Sequence, residues 1–382
     1  MKKALVIGGS NGIGLALTLE LQEKGCLVYV VDKEPYDSFK DNPRIHYHCV
    51  NLLTTDFSFL ESCNDVEILI ITAGFGRICA FEDITEPEIQ NSFQVNSIAT
   101  IKILHYFFPR MKQKESFCCA VLGSIAGMVC SPLLALYGAT KAALRNAIES
   151  LNIELEMSGT ENRILLVSPG YIPGTRFYGG NNQTDELKPL VHHILSEMAS
   201  RQTLFIPQYE EVYRSVLERY HQDPHSFGKE SYQYKINSDR IRKRPQLRIG
   251  YLSGTFDLFH IGHLNLLRRA KQYCDYLVVG VHKDASHKGK ETFIPYDERV
   301  EIVSSIRYVD KVIPAEREDS DVYAKGIVGY DYLFVGSDYK GTERFNRYEN
   351  YFADKDVKIV YFPYTKETSS TQLRDALTIM DK

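Results

Sequence analysis

The chain has no tryptophan, no CxxC spacing among its eight cysteines, no apolar run of membrane-spanning length, and only a slight excess of one charge sign. Each shortage removes a class of function. Without CxxC pairs the cysteines do not outline a zinc framework. Seven of the eight lie in the first half, and they read as reduced thiols in a cytoplasmic enzyme, not as a disulfide scaffold. MKKALVIGGS begins like a signal peptide, but Gly8, Gly9 and Gly12 interrupt the apolar run, so membrane insertion is not expected. A formal net charge of −4 offers no broad basic surface, so nucleic acid is not an expected partner. What remains is ordinary: 44% hydrophobic and 25% charged residues, as in soluble globular proteins. At about 100–200 residues per domain, 382 residues suggest two or three domains, each able to bury a core.

The most informative stretch is GTFDLFHIGH, residues 254–263. An apolar run (LRIGYL) leads into it and a helical pattern (HLNLLRRAKQY) leads out, so it sits where a strand hands over to a helix. Gly254 permits close backbone approach to a ligand. The first amides of the following helix are donors at the positive end of its dipole and suit a polyphosphate. His260 and His263, three apart, share one face there and can hydrogen-bond phosphate oxygens.

This stretch resembles the signature of the cytidylyltransferases among the HxGH nucleotidyltransferases, glycerol-3-phosphate cytidylyltransferases in particular. The resemblance extends over roughly residues 247–378. It takes in Lys288 and Lys290 (HKGKE), Arg299 and Arg307 (DERVEIVSSIRYVDKVIP), VGSDYKGTERF with Asp338, and YFPYTKETSST. It implies CTP as substrate, with Mg²⁺ accompanying the triphosphate. His260 and His263 would stabilise the α- and β-phosphates, and Lys288 and Lys290 would neutralise the triphosphate or the acceptor phosphate. Gly254, Thr255, Phe256, Asp257, Arg307, Asp338 and Thr365 are expected around nucleotide and acceptor, with Asp257 and Asp338 on the acceptor or ribose side. Ser369, Ser370 and Thr371 open a last helix (STQLRDAL) and can hold phosphate there. Tyr364 departs from the pattern, since many relatives carry an arginine at that position. The HxGH superfamily also contains adenylyltransferases; RYVDKVIP and SST favour CTP.

A second, independent signature lies in the first half. Residues 4–14 read ALVIGGSNGIG, an apolar strand followed by glycines 8, 12 and 14 that open a helix. Such glycines allow a tight turn, close approach to a pyrophosphate, and tight helix–strand packing, with Ser10, Asn11 and Ile13 on the same loop. The next strand, CLVYVVD, ends at Asp32, 18 residues after Gly14, where a carboxylate binds an adenosine ribose hydroxyl. Ser124, Tyr137 and Lys141 follow in GSIAGMVCSPLLALYGATKAAL.

This set resembles the short-chain dehydrogenase/reductases over roughly residues 1–205. A phenol titrates near 10, and a lysine at i+4 on the same face favours its ionised form. The resemblance implies that Tyr137 exchanges a proton with the substrate oxygen, Ser124 hydrogen-bonds that oxygen, and Asn96 holds a relay water beside Lys141. Thr72-Ala73-Gly74 replaces the usual Asn-Ala-Gly, Asn51 replaces a common aspartate near the adenine, and Pro169 with Gly170 forms the turn beside the nicotinamide. Gly174 stands where a threonine is common, with Thr175 adjacent. Asp32 repels a 2′-phosphate and favours NAD(H) over NADP(H), although Lys33 partly offsets that repulsion. A chain that keeps this fold only as a dinucleotide-binding module is the alternative, against which stands the intact set of Asn96, Ser124, Tyr137 and Lys141.

Between the two stretches, PQYEEVYRSVLERYHQ has helical spacing, and residues 221–246 turn polar with a basic cluster at Arg240, Arg242, Lys243 and Arg244. The expected organisation is a reductase domain over 1–225, a linker over 226–246 and a transferase domain over 247–382. His46 and His48 are read as strand residues, not as a metal pair. The expected fold class is α/β: two Rossmann-like, doubly wound parallel-sheet domains, the second smaller, with ligands beyond the carboxyl ends of the strands. A homo-oligomer is expected because both families commonly associate. The joint reading is a two-step sequence in one chain. A keto- or aldo-sugar phosphate is reduced to a polyol phosphate, which is then converted to a CDP-polyol for a capsule or teichoic-acid-like polymer.

Overall fold

The computed structural model describes residues 1–33, 36–172, 184–238, 241, 248–284 and 292–363. The chain forms two compact units, Met1–Pro245 and Gln246–Lys382.

The first unit carries strands β1 (Lys3–Ile7), β2 (Leu27–Asp32), β3 (Ile45–Cys49), β4 (Ile68–Ile71), β5 (Cys118–Leu122), β6 (Ile164–Val167) and β7 (Leu204–Phe205). They form one parallel sheet in the order β3-β2-β1-β4-β5-β6-β7. Helices α1 (Gly12–Glu23), α2 (Glu86–Phe93), α3 (Thr100–Met111), α4 (Ala135–Met157), α5 (Thr184–Ala199), α6 (Arg214–Gln222) and α7 (Pro224–Ile236) complete it. The apolar run of β1 feeds two cores. Ala4 and Val6 pack into the cluster containing Ile13, Leu17 and Ile194, and Leu5 and Ile7 into the one containing Ile103, Phe107 and Leu144. A strand buried on both faces needs apolar side chains at every position, which is what ALVI supplies. Strand order reverses between β1 and β4, so the ends of these two strands open the crevice where ligands bind in such sheets.

The second unit runs β8 (Ile249–Gly254), α8 (Ile261–Tyr273), β9 (Tyr276–Val281), α9 (Tyr296–Ser304), β10 (Lys311–Pro314), α10 (Asp319–Ala324), β11 (Tyr332–Gly336), α11 (Glu343–Phe352) and β12 (Lys358–Phe362). Its parallel sheet has the order β10-β9-β8-β11-β12, with the reversal between β8 and β11. Alternation again divides the core: Leu252 joins one cluster and Tyr251 the other. Both units are thus parallel α/β domains of Rossmann type, the second smaller.

One boundary differs from expectation. Residues 226–236, read as the start of a linker, belong to α7 (Pro224–Ile236) within the first unit. Asp223 caps it by accepting from the His225 and Ser226 amides, and Pro224 occupies the first turn where its missing N–H costs nothing. The polar composition misled because α7 buries only Phe227, Gly228 and Lys235. Among the described residues no helix is long and apolar enough to cross a membrane.

Candidate active sites

The dinucleotide cleft is built at the β1–β4 reversal. Gly8 and Gly12 have φ of +88° and +52°, which side-chain-bearing residues rarely adopt. A Cβ on Gly14 would lie 2.1 Å from the Gly8 carbonyl oxygen, so α1 can start this close to β1 only with glycine there. Thr72, where relatives carry asparagine, donates its hydroxyl toward the carbonyls of Ile7 (3.1 Å) and Gly8 (3.0 Å), tying the glycine loop to the end of β4. Ala73 and Gly74 follow on the same crevice wall. Asp32 ends β2, and one of its carboxylate oxygens accepts from the Ser10 amide (3.1 Å) and hydroxyl (2.7 Å). The carboxylate therefore also orders the glycine loop, with Asn11 donating to the Ser10 hydroxyl (3.0 Å). Ile13, by contrast, is buried in the core beneath the loop. Pro169 fixes the opposite wall, its carbonyl accepting from Ile125 at 3.0 Å. Gly170 lies so close to Tyr213 that a Cβ would fall 1.5 Å from the Tyr213 hydroxyl. Gly174 and Thr175 lie outside the described residues.

Beside this cleft, α4 brings Tyr137 and Lys141 together as their i, i+4 spacing requires. Lys141 is buried, with Nζ donating to the Leu122 carbonyl (2.7 Å) and standing 5.8 Å from the Tyr137 ring centroid. Burial pulls its pKa down to about 8. Asn96 is fully buried within a π-helical turn, Gln94–Ala99, inserted between α2 and α3. Such turns recur at functional sites because they re-aim a side chain. The Asn96 amide clasps Phe75, accepting from its N–H (2.9 Å) and donating to its carbonyl (2.8 Å), and also reaches the Thr140 hydroxyl (3.1 Å). Ser124 follows β5 and accepts from the Ala126 amide at 3.2 Å.

The wall opposite Tyr137 is the loop 73–79, of which sequence reading singled out Ala73 and Gly74 but not Gly76 or Arg77. A Cβ on Gly76 would sit 2.5 Å from the Tyr137 ring, and one on Gly74 would lie 3.3 Å from both Asn96 Oδ1 and Lys141 Nζ. Next to Gly76, buried Arg77 pairs with buried Glu88 through two contacts of 2.7 and 2.9 Å and also donates to the Asp83 carbonyl. Glu88 simultaneously completes the capping box of α2 with Thr85. Arg77 and Glu88 are eleven residues apart and share no period, so no local pattern marks them.

In the second unit His260 is the N-cap of α8. Its Nδ1 accepts from the Gly262 amide (3.0 Å), while His263 Nδ1 accepts from the His260 amide (3.4 Å), and the two rings stack 4.0 Å apart. With Nδ1 committed as acceptor, each neutral imidazole carries its hydrogen on Nε2, a donor suited to phosphate oxygens. Burial lowers the His260 pKa below its usual value. Protonation at Nδ1 would also break the cap, so the group costs stability as pH falls through the ordinary histidine range. Nucleotidyl transfer should therefore keep its full rate to pH values below 6.5 before an acid limb appears, checked by the pH profile of pyrophosphate release. An acid limb above 6.5 would contradict this assignment.

The motif loop is tightly wound: Phe256 and Leu258 have φ of +54° and +48°. Such non-glycine conformations persist only when the surroundings hold them. Buried Asp257 does part of this. Expected on the acceptor or ribose side, it instead accepts from the amides of Phe293 (3.1 Å) and Ile294 (2.9 Å), which takes it into the interior. Fully buried Arg299 donates to the carbonyls of Thr255, His282, Lys283 and Ile294. Asp257 and Arg299 thus tie residues 282–283 and 293–294 to the HxGH loop. Phe256 is likewise a core residue, 2% exposed, packed behind the His263 ring at 5.3 Å. Gly254 is held against it, since a Cβ there would lie 2.9 Å from the Phe256 ring. Thr255 Oγ1 is buried with no hydrogen-bond partner among the described residues. Asp338 is exposed in the turn after β11, across the strand reversal from β8, and folds over Gly336. Arg307 is exposed and donates to the Tyr308 hydroxyl (2.9 Å). Lys288, Lys290, Tyr364, Thr365, Ser369, Ser370 and Thr371 lie outside the described residues, and among the described ones no cluster of three or more metal-ligating side chains occurs.

The two arrangements define an oxidoreductase and a nucleotidyltransferase. Family models for short chain dehydrogenases and for cytidylyltransferase-like proteins match residues 2–186 and 251–376. Glycerol-3-phosphate cytidylyltransferase of Bacillus subtilis is 37% identical over 129 residues, 32% of this chain and 92% of that protein. A protein of Helicobacter pylori named "Probable short-chain type dehydrogenase/reductase VdlC" is 29% identical over 175 residues, 44% of this chain and 64% of its own. A short-chain dehydrogenase from Streptomyces avermitilis superposes with a TM-score of 0.51 at 19% identity, covering 63% of this chain and all of that one, a likeness of fold. The chain belongs to the cytidylyltransferase family through its second unit and carries a short-chain dehydrogenase domain as its first. It is a bifunctional dehydrogenase and cytidylyltransferase.

Proposed function

We propose that the first unit reduces a keto- or aldo-sugar phosphate to an open-chain polyol phosphate, and that the second converts this to a CDP-polyol of glycerol or ribitol type. The observation that carries the reading is one chain holding two built sites whose reactions fit end to end. One makes an alcohol, and the other activates a phosphate ester that bears alcohols. The expected setting is cytoplasmic supply of a capsule or teichoic-acid-like polymer, by a homo-oligomer.

In the reductase, the residues present fit a nicotinamide dinucleotide: the glycine loop would leave room for a pyrophosphate, and Asp32 would hold the adenosine ribose. Once bound, that cofactor supplies the hydride. Tyr137 delivers the proton to the substrate oxygen, and Ser124 holds that oxygen in place. Lys141, its pKa lowered to about 8 by burial, favours the Tyr137 phenolate when protonated. Asn96 secures Phe75 and the Thr140 hydroxyl behind them and keeps a path for a relay water beside Lys141.

In the transferase, a phosphate oxygen of the polyol phosphate attacks the α-phosphorus of CTP, and pyrophosphate leaves. The protein's task is to position these groups and to stabilise charge on the phosphate oxygens. The Nε2–H donors of His260 and His263, at the positive end of the α8 dipole, would do so. The resemblance assigns Thr255, Lys288, Lys290, Arg307, Thr365, Ser369, Ser370 and Thr371 to the nucleotide and acceptor, with Asp338 on the acceptor or ribose side. Mg²⁺ arrives with the triphosphate.

NAD(H) is the favoured dinucleotide because the Asp32 carboxylate repels a 2′-phosphate. Asp32→Ala should raise the kcat/KM ratio of NADPH to NADH by about tenfold, the worth of roughly 1.4 kcal/mol. An unchanged ratio would mean that Asp32 serves only to hold Ser10. For the second unit, the four nucleoside triphosphates offered with glycerol phosphate should give pyrophosphate with CTP. Release with ATP instead would overturn the cytidylyl assignment.

A further inference from the structure

Residues 223–236 and Ile241 lie beyond the stretch that the short chain dehydrogenase family model matches, yet they grip both walls of the carbonyl site. Lys235 is 7% exposed, and its three ammonium donors go to the Ser131 hydroxyl, the Pro132 carbonyl and the Ser231 hydroxyl, each at 2.9 Å. Cys130 donates to the Pro224 carbonyl (3.4 Å), and a Cβ on Gly228 would lie 3.2 Å from Cys130 Sγ. Ile241 pairs as an isolated parallel bridge with Ile78, two residues past the Gly76 that packs on Tyr137. An apolar residue would fill a buried position at lower desolvation cost than an ammonium group, so the lysine's role lies in what it holds.

What it holds is strained. Leu133 has a φ of +63°, unfavourable for a branched apolar residue, and its carbonyl accepts from Cys79 at 2.9 Å. Leu134 then caps α4, accepting from Gly138 at 2.7 Å one residue after Tyr137. The turn at residues 130–134 therefore sets where α4 begins, and Lys235 and Cys79 hold it from two sides. The glycine loop and Asp32 are secured by contacts of their own, through Thr72 and Ser10.

We propose that Lys235, with the helix that carries it, is a positioning residue of the reductase: it fixes the 130–134 turn and so places the Tyr137 hydroxyl at the carbonyl, leaving dinucleotide binding to the other half of the site. This rests on the reading of Tyr137 as the proton donor. A shift of the hydroxyl by about 1 Å can cost on the order of a hundredfold in rate.

The test uses the full chain as wild type, Lys235→Met, Lys235→Arg and Ser131→Ala, the last removing a single acceptor. Hydrogen exchange of peptides spanning 128–137 and 1–32 is followed alongside NAD(P)H affinity, carbonyl reduction and pyrophosphate release. For Lys235→Met the expectation is exchange faster by about tenfold in 128–137 alone. Its kcat should fall by about ten- to a hundredfold, with NAD(P)H affinity within about twofold and pyrophosphate release unchanged. Lys235→Arg and Ser131→Ala should fall between it and wild type. Unchanged exchange in 128–137, equal acceleration in 1–32, or loosened exchange with an unaltered kcat would each overturn the proposal. Should the wild type reduce no carbonyl, the assignment of Tyr137 fails, and the exchange pattern alone still decides whether Lys235 holds the turn.

Discussion

Tyr137→Phe is expected to lower carbonyl reduction by about 10²- to 10⁴-fold, the usual worth of a positioned proton donor, while leaving pyrophosphate release from CTP and a polyol phosphate unchanged. The substitution removes one oxygen and keeps the ring, so the packing of that ring on Gly76 survives. Lys141 stays buried with its bond to the Leu122 carbonyl, and Asn96 keeps its clasp on Phe75. The glycine loop and Asp32 are held by contacts with Thr72 and Ser10, so NAD(P)H affinity should hold. The measurement is cofactor oxidation and pyrophosphate release on the same preparation, which makes each unit the folding control for the other. Unchanged cofactor oxidation would remove Tyr137 from the proton-donor role, and a wild type that oxidises no cofactor would mean that the first unit serves as a dinucleotide-binding module.

The second large effect is at His263. His263→Ala should abolish CDP-product formation, a loss of about 10²- to 10³-fold or more for one preorganised donor to a developing phosphate charge, and leave reduction intact. The change also removes the acceptor for the His260 amide and the ring stacked on His260. His263→Gln separates the two roles. A glutamine at the third position of a helix can accept from the N-cap amide and so restores the cap, but it cannot place an imidazole Nε2–H at the phosphate. Activity that returns with glutamine would assign His263 to the cap alone. Equal loss of both activities on His263→Ala would sink the two-site reading.

Much of this was legible because both signatures are local. GGSNGIG, YGATK and GTFDLFHIGH each place their residues on one turn, strand end or helix face, where spacing alone predicts proximity. The strand runs were equally readable, since a strand buried on both faces admits few polar residues. What escaped the sequence depends on long-range pairing. The Arg77–Glu88 pair, the four carbonyls gathered by Arg299 and the grip of Lys235 on residues 131–132 join segments that no period connects. Asp257 and Phe256 show a related limit. Their place within the motif suggested ligand contact, but positive φ at Phe256 and Leu258 turns the loop so that both side chains face inward and support the histidines from behind. The polar segment after residue 221 looked like a linker because hydropathy does not reveal a helix whose main anchor is a buried lysine.

The most direct test of the central claim follows both reactions at once. Purified chain is incubated with NADH or NADPH, CTP and Mg²⁺ and a panel of three- to six-carbon keto- and aldose phosphates with their unphosphorylated forms. Cofactor oxidation and pyrophosphate release are recorded together. The expected result is one carbonyl compound that drives both signals, with pyrophosphate release dependent on prior reduction. Pyrophosphate release from preformed polyol phosphates with no carbonyl oxidising either cofactor would contradict it.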